Sequence, residues 1–171
     1  MKTELIFITG GIKSGKSRFA VNAVKSNNKA SCIVTGLPLD KEMKRRISLH
    51  KQNRPSSWQV IEEPVRLIDA LTKVRFKTVI IDCINFWVAN VINKYSENMI
   101  LEQAEGVCTR IKKSGWNKCY IVSNETGLGL VSEYKSGRKF QEVLGKVNQV
   151  IAAQFADTVY FMVSGIPVKI K

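Results

Sequence analysis

Short apolar runs alternate along the chain with longer stretches in which apolar and polar residues recur at helical spacing. Apolar runs of about four to eight residues bounded by turn residues are typical of buried strands. The predicted strands are Leu5–Thr9, Ser31–Thr35, Thr78–Asp82, Lys118–Ser123 and Thr158–Val163, with helical segments between them. This alternation predicts an α/β fold with a mainly parallel sheet flanked by helices.

The 171 residues show no linker, internal repeat or low-complexity segment, so we expect one domain spanning residues 1–171. The turn signals Lys113-Ser114-Gly115 and Ser136-Gly137 are short and local. In open parallel sheets, ligands bind beyond the carboxyl ends of the strands. We therefore expect the functional site where the loops after Thr9, Thr35, Asp82 and Ser123 meet.

The first of these loops carries the most specific motif in the chain. The segment Gly10-Gly11-Ile12-Lys13-Ser14-Gly15-Lys16-Ser17 fits G-x-x-x-x-G-K-[ST] directly after a predicted strand. In such a loop the backbone N–H groups and a helix N-terminus converge on phosphate. Lys16 can reach the β- and γ-phosphates, and the Ser17 hydroxyl can ligate Mg²⁺. The motif predicts a nucleotide site, and an ordinary strand-to-helix turn is the alternative.

Carboxylates follow three of the later apolar segments. The run Val79-Ile80-Ile81-Asp82 resembles a strand that delivers one carboxylate beside a bound Mg²⁺, although a solvated strand end would look the same. Glu62 and Glu63 precede Pro64, and Glu125 follows Ser123-Asn124. Any of these three glutamates is a candidate for the base that accepts a substrate hydroxyl proton, or for a second metal contact.

His50 is the only histidine and lies within the basic stretch 44–54. Asp40 can cap a helix here, and Met43, Ile47 and His50 would share its apolar stripe. A structural histidine therefore fits the pattern. A nucleophile fits it too, because neighbouring cations disfavour imidazolium and hold phosphates for attack. The residues alone leave both interpretations open.

The formal net charge of +13 requires its own interpretation. Basic proteins bind nucleic acids, membranes or small polyanions. The lysines here are spread along the chain, and no aromatic residues are interleaved with them as a single-strand binding surface requires. A lysine-rich surface is the simpler interpretation, and a nucleic-acid-stimulated ATPase is the weaker alternative.

The remaining composition is that of a soluble globular protein, with 44% hydrophobic and 24% charged residues. No apolar run is long enough for a membrane span, and we expect a cytoplasmic protein. Cys32, Cys83, Cys108 and Cys119 form no C-x-x-C pair and are expected to be buried, reduced thiols.

Together, these motifs resemble the bifunctional adenosylcobinamide kinase/adenosylcobinamide-phosphate guanylyltransferase family of cobalamin biosynthesis. The resemblance extends over nearly the whole chain, and its residues occur in the family's order. They are Ile8-Thr9-Gly10-Gly11, Ser14-Gly15-Lys16-Ser17-Arg18, Ile33-Val34-Thr35, Glu42-Met43, Arg46-Ile47, His50, Arg54-Pro55, Trp58, Glu62-Glu63-Pro64, Asp82-Cys83-Ile84, Trp87, Asn90, Ser123-Asn124-Glu125, Gly127-Leu128-Gly129, Gly145-Lys146-Val147-Asn148-Gln149, Val163-Ser164-Gly165-Ile166-Pro167 and Lys169.

The resemblance implies a RecA-like P-loop fold, usually assembled as a homotrimer, and two reactions. ATP or GTP first phosphorylates the aminopropanol hydroxyl of adenosylcobinamide. GTP then guanylylates a histidine, matched here by His50, and the GMP passes to the phosphorylated corrinoid to give adenosylcobinamide-GDP. A plain P-loop small-molecule kinase with a structural His50 is the alternative.

The resemblance also implies roles for individual residues. His50 and Lys16 would be catalytic, and Ser17 and Asp82 would organise Mg²⁺. The nucleotide-binding residues would be Gly10, Gly11, Ile12, Lys13, Ser14, Gly15, Lys16, Ser17, Thr35, Gly36, Leu37, Lys51, Gln52, Asn53, Arg54, Glu62 and Asp82.

Three places in the sequence depart from the family pattern. Asn85 stands where threonine is usual, Ser132 replaces a usual proline, and Phe140-Gln141-Glu142 stands where Phe-Arg-Asp is typical. The change to Gln141 removes a charge that could neutralise phosphate or form an ion pair between subunits. Arg138 and Lys139 lie close enough in sequence to be considered as substitutes.

Overall fold

The computed structural model describes residues 2–25, 29–52 and 54–171, without the side chain of Arg46. Its seven strands form one sheet in the order β3-β2-β4-β5-β1-β6-β7. Every neighbouring pair is parallel except β6 and β7, which are antiparallel. The predicted α/β fold with a mainly parallel sheet flanked by helices is confirmed.

The strands confirm all five predicted runs and add two. Their bounds are β1 Glu4–Gly10, β2 Ser31–Val34, β3 Gln59–Glu62, β4 Thr78–Asp82, β5 Lys118–Val122, β6 Thr158–Val163 and β7 Ile166–Lys169. The additional strands β3 and β7 are the two edges of the sheet. Each contains only four residues, and β7 includes Pro167, which an edge strand tolerates because one side of its backbone is unpaired.

Six α-helices connect these strands. Their bounds are α1 Lys16–Lys25, α2 Lys41–Gln52, α3 Leu67–Thr72, α4 Ile84–Val91, α5 Glu97–Lys113 and α6 Lys135–Gln149, the last continued by a π-helical segment, Val150–Phe155. As predicted, Asp40 caps α2, with its carboxylate accepting the Met43 N–H at 2.7 Å. The turn predicted at Ser136-Gly137 is wrong, because both residues lie inside α6.

Gly137 is accommodated in α6 for a packing reason. A Cβ atom on Gly137 would collide with the side chain of Ser132, so the preceding loop lies directly against the helix at this position. The helical periodicity of α6 therefore outweighs the local turn preference of Ser136-Gly137.

The two faces of the sheet carry separate hydrophobic clusters. Leu5 and Phe7 pack with α3, α4, α5 and α6, whereas Ile6 and Ile8 face the side covered by α1. This period of two is what a strand buried on both faces requires. The four cysteines are buried in these clusters and form no disulfide in the described part of the chain, as expected.

No helix within the described ranges combines the length and apolar character needed to cross a membrane.

Candidate functional site

The phosphate loop joins β1 to α1 through a backbone that only glycine fits at two positions. Gly10 has φ +140° and Gly15 has φ +96°. A Cβ atom on Gly10 would lie 2.6 Å from the Met162 carbonyl oxygen of the neighbouring strand. The loop is closed by a Ser14 N–H that donates to the Gly11 carbonyl at 3.2 Å. The backbone conformation and close packing of the loop therefore require these two glycines whether or not a ligand is bound.

The ammonium of Lys16 lies inside this loop. It donates to the Gly10 carbonyl at 2.9 Å, the Gly11 carbonyl at 2.6 Å and the Ser14 hydroxyl at 3.4 Å. The Gly10 carbonyl also accepts the Glu125 N–H at 3.0 Å, which ties the end of β5 to the loop. The one buried lysine in the described core is thus held where phosphates would bind.

Asp82 is the centre of a polar cluster beside the loop. Its Oδ1 accepts the Ser17 hydroxyl at 2.9 Å, and its Oδ2 accepts Arg54 Nη2 at 3.1 Å. His50 Nδ1 lies 3.8 Å from the same Oδ2. The side chains of Arg54 and Asp82 are only 6% and 10% exposed, whereas His50 is 37% exposed. Strand β4, the start of α1 and the end of α2 thus bring together the predicted carboxylate, hydroxyl and histidine.

A cavity of about 930 Å³ opens over this cluster. The phosphate loop, α2 and the carboxyl ends of the central strands form its walls, and His50 lines it. Of the residues predicted to bind nucleotide, the cavity is lined by Lys13, Ser14, Gly15, Lys16, Ser17, Gly36, Lys51, Arg54, Glu62 and Asp82. Ten predicted positions from five separate segments therefore share one space.

The remaining predicted positions lie around the cavity rather than in its lining. Within the described residues, these are Gly10, Gly11, Ile12, Thr35, Leu37 and Gln52, whereas Asn53 lies outside them. Thr35 is fully buried, and its hydroxyl donates to the Cys83 carbonyl at 2.6 Å and accepts the Cys83 N–H at 3.1 Å. Its hydroxyl therefore holds the backbone that follows Asp82.

The three glutamates considered as bases occupy different surroundings. Glu62 lines the cavity and pairs with Lys51 at 2.8 Å. Glu63 accepts the N–H groups of Val65 and Arg66 at 3.2 and 2.9 Å, and Glu125 accepts the N–H groups of Gly127 and Leu128 in its loop.

The electrostatic surroundings of Glu63 also make it a poor candidate for the base. Burial raises the pKa of Glu63, but the backbone hydrogen bonds from Arg66 and Val65, together with the charges of Arg66 and Lys73, outweigh this and lower it below its usual value. A carboxylate with a lowered pKa is a weaker base. Among the three glutamates, only Glu62 is placed to face a ligand.

The three departures from the family pattern have distinct environments. Asn85 is buried and lines the cavity, and its Oδ1 has no hydrogen-bond partner among the described residues. Gln141 holds the loop after β5: its carbonyl accepts the Ser132 N–H at 3.0 Å, and its amide donates to the carbonyls of Thr126 and Leu130 at 3.1 and 3.2 Å. Gln141 thus has a role that needs no charge.

The cations near Gln141 do not reach the cavity. Arg138 donates to the carbonyls of Ser132 and Glu133, and Lys139 donates to the Ile92 carbonyl. Both cations are therefore held by backbone oxygens and do not substitute for a phosphate-binding arginine in this arrangement.

Sequence reasoning missed the contribution of Phe86, Met43 and Ile47 to the cavity wall. All three line the cavity, and each has an atom within about 4 Å of the position a Cβ on Gly36 would occupy. The apolar stripe of α2 was the available signal, but its partner across the cavity is 39 to 43 residues away in sequence. Part of the cavity wall is consequently apolar.

Comparison with known proteins agrees with this geometry. Residues 6–170 match the family described as cobinamide kinase / cobinamide phosphate guanyltransferase. The bifunctional adenosylcobalamin biosynthesis proteins CobU of Escherichia coli (strain K12) and Salmonella typhimurium are 34% and 35% identical to this chain, each over 98% of it and 99% of the relative. The corresponding CobP of Pseudomonas aeruginosa is 32% identical over 96% of this chain and 95% of its own. The chain therefore belongs to the cobinamide kinase / cobinamide phosphate guanyltransferase family.

Proposed function

We propose that this enzyme carries out two reactions in one domain that spans residues 1–171. In the first, it transfers the γ-phosphoryl group of ATP or GTP to the aminopropanol hydroxyl of adenosylcobinamide. In the second, it transfers GMP from GTP, through guanylylated His50, to adenosylcobinamide phosphate, giving adenosylcobinamide-GDP and pyrophosphate. The observation that carries the proposal is that His50, Lys16 and Asp82 face one cavity.

The donor atoms beside the phosphate loop fit Mg²⁺. Ser17 Oγ and Asp82 Oδ1 are 2.9 Å apart. Two oxygens on adjacent corners of an octahedron with metal–oxygen distances of about 2.1 Å are separated by roughly 3 Å. We therefore assign Ser17 and Asp82 as the residues that would hold Mg²⁺, which would neutralise charge on the phosphates. The structure describes no cluster of three or more His, Cys, Asp or Glu side chains suited to a metal, so phosphate oxygens and water would complete the site.

The phosphate loop would bind the phosphates, and the opposite wall the guanine nucleotide. Lys16 and the loop N–H groups stabilise negative charge that develops on the transferred group. The residues proposed to bind the guanine nucleotide are Lys51, Gln52, Asn53, Arg54 and Glu62. Lys51 and Gln52 end α2, and Glu62 ends β3. The Lys51–Glu62 pair presents one donor and one acceptor group to the cavity. Such a pair is complementary to the polar edge of a purine.

In the guanylyl transfer, a ring nitrogen of His50 attacks the α-phosphorus of GTP. A P–N bond forms, the bond from the α-phosphorus to the α,β-bridging oxygen breaks, and pyrophosphate leaves with that electron pair. A phosphate oxygen of the phosphorylated corrinoid then attacks the same phosphorus, and the P–N bond electrons return to the ring. Asp82, 3.8 Å from Nδ1, stabilises the positive charge that the ring carries between these steps.

Arg54 forms an ion pair with Asp82 Oδ2, one of the two carboxylate oxygens that this chemistry would use. Its guanidinium pairs with Asp82 Oδ2 at 3.1 Å, and both side chains are almost fully buried. Before Asp82 can offer both oxygens to a cation, Arg54 has to leave it. Arg54 would then be available to pair with the nucleotide's phosphates, for which a guanidinium is well suited. We propose this exchange as the step that accompanies nucleotide binding.

The cytoplasm and a homotrimer are further parts of the proposal. Cofactor biosynthesis from nucleotides and the buried, disulfide-free cysteines favour the cytoplasm. The loop after β5 exposes Leu128, Leu130 and Val131, which offers an apolar surface for contact between subunits. Sedimentation equilibrium of the purified protein tests the trimer.

The two reactions are separated by one substitution. We expect His50→Ala to retain phosphorylation of adenosylcobinamide by ATP and to lose formation of adenosylcobinamide-GDP, both measured by chromatography of the products. Lys41→Ala, at the exposed start of the same helix and outside the cavity lining, is the matched control and is expected to retain both. Loss of both reactions in His50→Ala, with the protein folded, would contradict the assigned role.

A further inference from the structure

The phosphate loop touches a turn from the opposite end of the sequence. Strand β6 pairs with β1, with Met162 opposite Gly10, so the turn after β6 emerges beside the loop. That turn is Ser164-Gly165, which joins β6 to antiparallel β7. Both residues have positive φ, +50° and +89°, as in a two-residue type I′ hairpin turn. Some 150 residues of sequence thus separate two backbones that lie in contact.

The contact is a hydrogen bond between backbone groups. The Gly165 N–H donates to the Ser14 carbonyl at 3.0 Å. In a trans peptide the C=O and the following N–H point in opposite directions. A donor that holds the Ser14 carbonyl toward the hairpin therefore holds the Gly15 N–H away from it. The turn fixes the orientation of one of the peptide planes that form the phosphate loop.

The closeness of the two segments depends on glycine on both sides. A Cβ atom on Gly15 would lie 3.2 Å from the Gly165 Cα. A Cβ atom on Gly165 would lie 3.1 Å from Arg18 Nη2, on the first turn of α1. Both glycines also have φ values that other residues rarely adopt. Glycine at both positions therefore permits the positive φ values and also lets the two backbones lie in contact.

We propose that the β6–β7 turn belongs to the scaffold of the nucleotide site and that Gly165 is a positioning residue, whose N–H holds the Ser14 carbonyl and thereby aims the Gly15 N–H at the nucleotide's phosphates. The inference rests on the proposed function, because it assumes that this loop binds phosphates. It adds a residue from the C-terminal hairpin to a site whose cavity lining otherwise ends at Asn124. A displaced Gly165 would leave the fold intact and the loop's N–H groups poorly aligned.

Gly115 provides a matched control for Gly165→Ala. Its φ is +71°, close to that of Gly165, and a Cβ atom there would meet nothing within 4 Å. Alanine imposes similar backbone strain at both positions, so thermal unfolding should shift down by a few degrees in both variants. Only Gly165→Ala should weaken GTP binding, by roughly tenfold, because it alone disturbs a hydrogen bond to the phosphate loop. Binding of guanosine, which has no phosphates, should change little in either variant.

A second variant removes the hydrogen bond without adding a side chain. Replacing Gly165 by glycolic acid puts an ester oxygen in place of the N–H and leaves the turn sterically unchanged. Titration of wild-type and ester proteins with GTP in the presence of Mg²⁺ should again show roughly tenfold weaker binding in the ester. Unchanged GTP affinity in the ester, or equal losses in Gly165→Ala and Gly115→Ala, would overturn this inference alone. A wild-type protein that bound no GTP would overturn the proposed function as well.

Discussion

The two walls of the cavity are built in different ways. The phosphate loop is held by backbone hydrogen bonds, by glycines that close approach requires and by the buried ammonium of Lys16. The segment 41–62, which carries His50, meets the same cavity mainly through charged side chains, with Arg54 and His50 both at Asp82. Backbone contacts fix a geometry, whereas ion pairs can exchange partners when a charged ligand arrives. The difference suggests a preformed phosphate site beside a nucleophile that is repositioned by its ligand.

Removing the charge at the centre of the preformed wall should have the largest effect. We expect Lys16→Met to lower kcat of both reactions by roughly 10²- to 10³-fold, because the ammonium stabilises charge that develops on the transferred phosphoryl or nucleotidyl group. Steady-state rates with ATP and with GTP measure it. Lys25→Met at the other end of α1 is the control and should leave both rates within twofold of wild type. A loss confined to one reaction would mean that the two do not share this phosphate site.

A stability measurement tests whether the backbone at the end of β4, which carries Asp82, is held as firmly as the phosphate loop. Thr35→Val removes a hydroxyl that is both donor and acceptor to Cys83 backbone groups, so two buried hydrogen bonds are lost. We expect the free energy of unfolding to fall by about 2–4 kcal/mol, measured by denaturant titration. Thr35→Ser keeps the hydroxyl and should recover most of that loss. If Thr35→Val were as stable as Thr35→Ser, this hydroxyl would not be what holds the end of β4.

These contacts also show what sequence can and cannot supply. The phosphate loop was predictable because its local motif is strong, and Asp82 because it ends an apolar run in a chain that carries that motif. The contacts made by Thr35 and Gly165 were not, because each joins segments that are distant in sequence and uses backbone groups that leave no side-chain pattern. The edge strands β3 and β7 were missed for a related reason. Val60 on β3 and Ile166 on β7 are exposed, so neither strand carries a continuous buried run.

A smaller effect is expected from a substitution in segment 41–62, whose ion pairs can exchange partners. We expect Arg54→Gln to bind Mn²⁺ roughly five- to tenfold more tightly than wild type in the absence of nucleotide, because it removes the cation that occupies Asp82 Oδ2. Electron paramagnetic resonance of free Mn²⁺ measures this without turnover. Arg110→Gln, exposed on α5 and outside the cavity lining, should leave Mn²⁺ affinity unchanged. Equal affinities in Arg54→Gln and wild type would show that Arg54 does not compete for the metal position.

The smallest effect concerns the alkylation rate of Cys32, a buried thiol on β2. Burial raises the pKa of the Cys32 thiol to about 12, although the nearby Arg54 charge lowers it and Asp82 adds to the rise. Because the folded state keeps this proton above the ordinary thiol pKa of about 8.5, stability from Cys32 is complete below that pH and falls as pH rises toward 12. We expect alkylation of Cys32 at pH 8 to be as slow as that of Cys119 at the centre of the sheet. Faster alkylation of Cys32 than of Cys119 would mean that β2 opens to solvent more often than the centre of the sheet.

The central claim is that His50 carries the nucleotide between the two substrates. The most direct measurement incubates the protein with Mg²⁺ and GTP labelled at the α-phosphate, and then locates the label by mass spectrometry of the denatured chain. We expect an acid-labile GMP adduct on His50 that disappears when adenosylcobinamide phosphate is added, and no adduct in His50→Ala. A folded protein that bound GTP but formed no adduct, or formed one equally in His50→Ala, would contradict the account and leave a P-loop kinase in which His50 is structural.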